Sequence, residues 1–249
     1  MERGVFRAGL AEALGVFFLV FVGGSAICMH EYQIRDLSIS GDSLRVVQYM
    51  GLLGIAFAHG FALTVAVYMT AGLSGGHINP AVTIGLLAIG KVEFRRAATY
   101  VFMQLGGAVA AGIAVWAMFP GFREMMPYLG TPEYDADKMS MVKAIGVESL
   151  LTFLLMFSVL MTAVDPARRA KQMFGLCIGL TLFFCILIGG PYTGAALNPA
   201  RHLGTALVSG QPQLLAQVPT YVVGPILGAL AAALLYRFLL RSKEEAQSG

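Results

Sequence analysis

Gly75-Gly76-His77-Ile78-Asn79-Pro80-Ala81-Val82 has a counterpart in the second half of the chain, Thr193-Gly194-Ala195-Ala196-Leu197-Asn198-Pro199-Ala200-Arg201. In both, a glycine-bearing approach leads into Asn-Pro-Ala and then into a short run of modest helix-forming sequence. Asparagine is a favoured N-cap and proline a favoured first helical residue, so each tripeptide reads as the start of a helix. Neither run is long enough to cross a bilayer, which takes about 20 apolar residues. Two half-spans are therefore predicted. An irregular segment at membrane depth is tolerated only where it is buried or lines a wet cavity, because its carbonyls otherwise lack partners. Each approach is thus a candidate pore wall.

The rest of the chain supplies the membrane. Of 249 residues, 57% are hydrophobic and 12% charged, and the mean hydropathy is +0.73, whereas a soluble domain carries about a quarter charged residues. This composition excludes a soluble globule and a disordered chain. A net charge of +3 is too mild and too scattered to suggest nucleic acid. Six apolar stretches are long enough to span, at about 8–29, 46–71, 97–119, 143–164, 173–190 and 218–240. The first follows Arg3 and Arg7 but carries Glu12 and lacks a small-residue cleavage site, so it reads as a retained span. Cys28, Cys177 and Cys185 lie in or beside apolar runs and read as small core residues.

The chain repeats itself. Leu10-Ala11-Glu12-Ala13-Leu14 is echoed by Gly146-Val147-Glu148-Ser149-Leu150, and Thr99-Tyr100-Val101 by Thr220-Tyr221-Val222. With three spans per half, the second copy enters the membrane from the opposite side, an inverted repeat that places a functional site at the midplane. The expected organisation is one channel domain over 1–249, with repeats at about 8–119 and 143–240 and a short tail at 241–249. An even span count puts both termini on one face. That face collects 11 basic residues against 6 on the other, which predicts cytoplasmic termini. Small residues four apart (Gly175 and Gly179, Gly224 and Gly228, Ala108 and Gly112) mark close helix packing.

Inverted symmetry also brings the two short helices together by their N-termini. Each contributes roughly half a positive elementary charge, which repels cations, while Asn79 and Asn198 can donate hydrogen bonds to a neutral molecule between apolar walls. One such tripeptide alone would be an ordinary capped helix. Two, at matching places in a six-span chain, read as a pore.

With both Asn-Pro-Ala boxes and the matched Glu12 and Glu148, the sequence resembles the major intrinsic protein family, the aquaporins and aquaglyceroporins, over nearly its whole length. The resemblance implies an all-α membrane protein of six transmembrane helices and two re-entrant half-helices. It also implies passive permeation past a constriction at Asn79, Pro80, Ala81, Asn198, Pro199 and Ala200, and assembly as a homotetramer in a lipid bilayer. Glu12 and Glu148, costly at membrane depth, would brace the re-entrant loops. The outer filter would comprise His59, Ile186, Ala195 and Arg201, a set most like that of plant tonoplast intrinsic proteins, which pass water and often ammonia, urea or hydrogen peroxide. No cofactor or metal is implied.

Some features depart from related patterns. His202 stands where glycerol channels place aspartate, and residues 120–142 hold none of the histidine that some ammonia-permeable relatives place there. His77 reads as structural, and Cys185, one residue from Ile186, should face away from the pore. A strictly water-selective channel, a coupled transporter using Glu12 or Glu148 as proton sites, and a closed structural membrane protein remain as alternatives. No His-Glu-x-x-His motif suggests an enzyme. The sequence leaves open a plasma or an internal membrane.

Overall fold

The computed structural model describes residues 3–40, 51–119, 128–164 and 172–247. Its regular structure among those residues is all helical, with six helices long and apolar enough to cross a membrane. The first half comprises α1 (Arg3–Ser40), α2 (Gly51–Ser74), the short α3 (Pro80–Ala88) and α4 (Phe94–Met118). The second comprises α5 (Met141–Val159), closed by a π-helical turn at Leu160–Val164, then α6 (Phe174–Thr193), the short α7 (Pro199–Ser209), α8 (Pro212–Ala216) and α9 (Val218–Gln247).

Several boundaries move outward from those read in the sequence. α1 continues past residue 29 to Ser40, taking in Glu31 and Asp36, because Glu, Gln, Arg and Leu sustain a helix after the apolar run has ended. For the same reason α9 runs through most of the expected tail, to Gln247. The second span begins at Gly51. Residues 46–50 lie outside the described residues, as do Arg45, Arg123, Arg168, Arg169 and Lys171, which entered the count of basic residues on the two faces.

Both predicted half-helices form, with 9 residues in α3 and 11 in α7. Asn79 and Asn198 are their N-caps: Asn79 Oδ1 accepts from the Ala81 amide at 2.8 Å, and Asn198 Oδ1 from those of Ala200 and Arg201 at 3.0 and 3.4 Å. Each half-helix packs mainly on the last long helix of the opposite half, α3 on α9 and α7 on α4. The small residues make these approaches possible. A Cβ on Gly204 of α7 would meet Ala108 of α4 at 2.5 Å. A Cβ on Gly224 would lie 2.8 Å from Glu148 Cβ, so α9 rides directly on α5. At the crossing of α2 and α6, a Cβ on Gly60 would lie 2.8 Å from the Gly179 carbonyl. The apolar core runs through both halves, from Val16 and Leu63 to Leu155 and Ala232.

Candidate functional site

The re-entrant loops are built on two buried carboxylates. Glu12 Oε1 accepts from Ser74 Oγ at 2.5 Å and the His77 amide at 2.9 Å, and Oε2 from the Ile78 amide at 2.6 Å and Gln104 Nε2 at 2.7 Å. Glu148 Oε1 accepts from Thr193 Oγ1 at 2.7 Å and the Ala196 amide at 3.0 Å, and Oε2 from the Leu197 amide at 2.8 Å. Both glutamates are fully buried. The bonds hold Ile78 and Leu197 at φ +57° and +53°, a left-handed conformation unfavourable for a β-branched side chain such as isoleucine.

The echoed tyrosines complete each brace. Tyr100 Oη donates to the Ser74 carbonyl at 2.8 Å and Tyr221 Oη to the Thr193 carbonyl at 2.7 Å, so each ties down the end of the helix that leads into a loop. Their purpose was not readable from the repeat, nor were the donors Ser74, Thr193 and Gln104. An imidazole packs on each tyrosine: His77 edge-on to Tyr100 at 5.1 Å between centroids, and His202 stacked on Tyr221 at 4.0 Å.

The loops then lock into each other. Asn79 Nδ2 donates to the Leu197 carbonyl at 2.8 Å, and Asn198 Nδ2 to the Ile78 carbonyl at 2.9 Å. Each amide nitrogen carries two hydrogens, so one is committed to the opposite loop and one remains. Both side chains line a narrow cavity whose walls include Leu63, Val67, Leu155, Ile178 and Leu182, with the backbone of Gly76 and Ala196 alongside. It leaves about 20 Å³, room for about one water molecule. Beside it, a vestibule of about 260 Å³ opens between His77, Lys91, Ala163 and Phe174.

Arg201 is buried at 2% exposure. Its Nη2 donates to the Gly130 carbonyl at 2.7 Å and lies 3.3 Å from His59 Nε2. His59 Nδ1 sits 2.9 Å from the Ile55 carbonyl. A guanidinium only donates and a carbonyl only accepts, so both contacts are met at once by the neutral Nδ1–H tautomer. Arg201 Nη1 has no hydrogen-bond partner among the described residues. Ile186 is buried on α6, and Ala195 is buried in the approach to Asn198 at φ +47°. The structure brings His59 and Arg201 into direct contact. Cys185 turns its Sγ toward the Leu151 carbonyl, 3.6 Å away.

Gly130 had no signal in the sequence, because its contribution is a backbone carbonyl. At φ +64°, and with the Gly24 carbonyl 2.7 Å from where a Cβ would stand, that position suits only glycine. His202, noticed as a departure from glycerol channels, anchors the same segment. Its ring nitrogens lie 2.9 Å from the Pro132 carbonyl and 3.1 Å from that of Leu214, and a neutral ring donates to one of these at a time. Gln217 adds a two-sided clamp on the backbone of Tyr134, at 3.0 and 2.9 Å.

The same architecture is found among known proteins. The sequence profile described as Major intrinsic protein matches residues 2–236. The chain belongs to the major intrinsic protein family. It is 37% identical over 244 residues to Aquaporin TIP4-4 of Zea mays, spanning 94% of this chain and 87% of that one. To Aquaporin NIP1-3 of Oryza sativa subsp. japonica it is 34% identical over 230 residues, 92% of this chain and 72% of that one. In fold it is similar to the aquaglyceroporin from Plasmodium falciparum, with a TM-score of 0.79 over 93% of this chain and 95% of that chain at 24% identity. Family membership makes it a multi-pass transmembrane channel of the water and small-solute class rather than a member of an enzyme family.

Proposed function

We propose that the channel is passive and excludes protons, passing water and small neutral solutes such as urea, ammonia or hydrogen peroxide. The observation that carries this reading is the crossed pair of asparagines. A water between them accepts from the remaining N–H of each amide, so its own hydrogens point along apolar walls and no continuous donor chain passes the centre. The N-termini of α3 and α7 face the same point and add a barrier to cations. Asn79, Pro80, Ala81, Asn198, Pro199 and Ala200 form this inner constriction. His59, Ile186, Ala195 and Arg201 form the outer filter, where Arg201 Nη1 is the donor left for the permeant. Isoleucine at 186 in place of a polar ring member makes this filter wider than one built for water alone.

The carboxylates serve as scaffold. Their partners include four backbone amides, which donate and cannot accept, so Glu12 and Glu148 hold the loops rather than relay protons. One channel domain made of two inverted repeats, cytoplasmic termini, as the basic residues indicate, and a homotetramer with one pore per subunit belong to the same proposal.

The test is stopped-flow light scattering of proteoliposomes mixed with hyperosmotic urea, against empty liposomes. Faster shrinkage followed by faster reswelling supports a water channel that also passes urea. Faster shrinkage without faster reswelling restricts the filter to water.

A further inference from the structure

His59 sits in the filter by courtesy of a residue on another helix. Its imidazole lies against the Ile55 carbonyl one turn back on α2, the Arg201 guanidinium, and Gly23 on α1. A Cβ on Gly23 would fall 2.7 Å from Cε1 of the ring and closer still to Nε2 and Cδ2, distances real Cβ atoms do not show. The overlap covers the whole far edge of the ring, including the nitrogen that faces Arg201. His59 therefore lies in a notch that exists only because residue 23 has no side chain.

We infer that Gly23 is a specificity-determining residue of this channel: it seats His59 against α1 and thereby sets the aperture between His59 and Arg201. The inference rests on the reading of those two residues as the outer filter. A methyl group at position 23 closes the notch, and the ring can yield only away from α1. In yielding it gives up its bond to Ile55 or to Arg201 and moves into the space the permeant uses. Arg201 does not follow, because the Gly130 carbonyl holds the same Nη2 at 2.7 Å. The aperture narrows, and the larger of two permeants is affected first. Filter width is thus encoded in part by a glycine that touches no permeant.

The neighbouring residue supplies a matched control. A Cβ on Gly24 meets the Leu129 carbonyl and Val115 Cγ2 at 3.5 Å, ordinary contact distances. Gly24→Ala adds the same methyl to the same helix without touching His59.

The experiment measures water and urea permeability in proteoliposomes, at matched protein content, for the wild type, Gly23→Ala, Gly24→Ala and the double variant Gly23→Ala/His59→Ala. Gly23→Ala should lower the ratio of urea to water permeability several-fold. Gly24→Ala should keep the wild-type ratio, and removing the ring in the double variant should restore urea flux to at least the wild-type level. Equal ratios for the two single alanine variants, or a loss the double variant does not relieve, would overturn the inference. If the wild type passes water but no urea, the solute range proposed above fails on its own. The seat is then read from water permeability, which must fall in Gly23→Ala and recover in the double variant.

Discussion

The amide of Ile78 lies 2.6 Å from Oε2 of Glu12, so a carboxylate on the first helix holds a β-branched residue in a left-handed conformation far along the chain. The shell around Glu12 is made of donors, and a glutamine there turns an NH2 group toward at least one of them. Glu12→Gln should destabilise the protein by about 2–3 kcal/mol and abolish most water permeability. Thermal unfolding in detergent and osmotic shrinkage of proteoliposomes check the two parts.

Tyr100 and Tyr221 make the same bond in opposite halves, at 2.8 and 2.7 Å. Tyr100→Phe and Tyr221→Phe should each cost about 1–2 kcal/mol, because each leaves a buried carbonyl without its donor. Near-equal losses are expected, measured by parallel melting of the two variants. A large difference would mean that the two loops are not braced alike.

Arg201→Val removes the charge from the outer constriction and leaves the Gly130 carbonyl without its donor. Proton or cation leak should rise, read as faster decay of an imposed pH gradient across proteoliposomes. An unchanged leak would return the whole of cation exclusion to the asparagine centre.

His202→Ala releases Pro132 and Leu214 and removes the ring stacked on Tyr221. The residue is fully buried, so a loss of about 2–4 kcal/mol is expected. Hydrogen exchange should quicken in residues 129–134 before it does in the helices.

Near the surface of that segment, burial and then the neighbouring Asp135 raise the pKa of Glu133. A carboxyl group whose pKa is raised on folding loses stability as pH climbs from the ordinary carboxylate range through the raised value, and the loss is constant above it. Glu133→Gln should remove this decline and leave the protein more stable at neutral pH by a fraction of a kcal/mol, given the group's exposure. Melting temperatures of both forms across the acid range check the sign.

The sequence carried the six spans, the two half-helices and the paired glutamates, because each is expensive or periodic enough to leave a mark: long apolar runs, helix-start signals, carboxylates where hydrocarbon should be. It carried the tyrosine echo as a pattern without a purpose, since the bond reaches back from one helix to the end of another. Gly130 and Gly23 left no mark at all. One acts through a carbonyl and the other through a missing side chain, and neither can be read without knowing what stands opposite. The repeat also hides its own breaks. Counting from the tyrosines puts Pro225 at the place of Gln104, so Glu148 lacks the amide that Glu12 receives. Counting from the asparagines puts His202 opposite Thr83 and Ala196 opposite His77, so each half sets an imidazole against its tyrosine from a different position.

The crossed bonds of Asn79 and Asn198 bear on biogenesis. The carbonyl of Ile78 is made early in translation and its donor late, so the first re-entrant loop waits with an open acceptor until most of the chain has been synthesised. The Leu197 carbonyl, by contrast, meets an asparagine already in place. Neither half can finish its loop alone, and a nascent chain stopped before residue 198 has five complete spans and an incomplete channel.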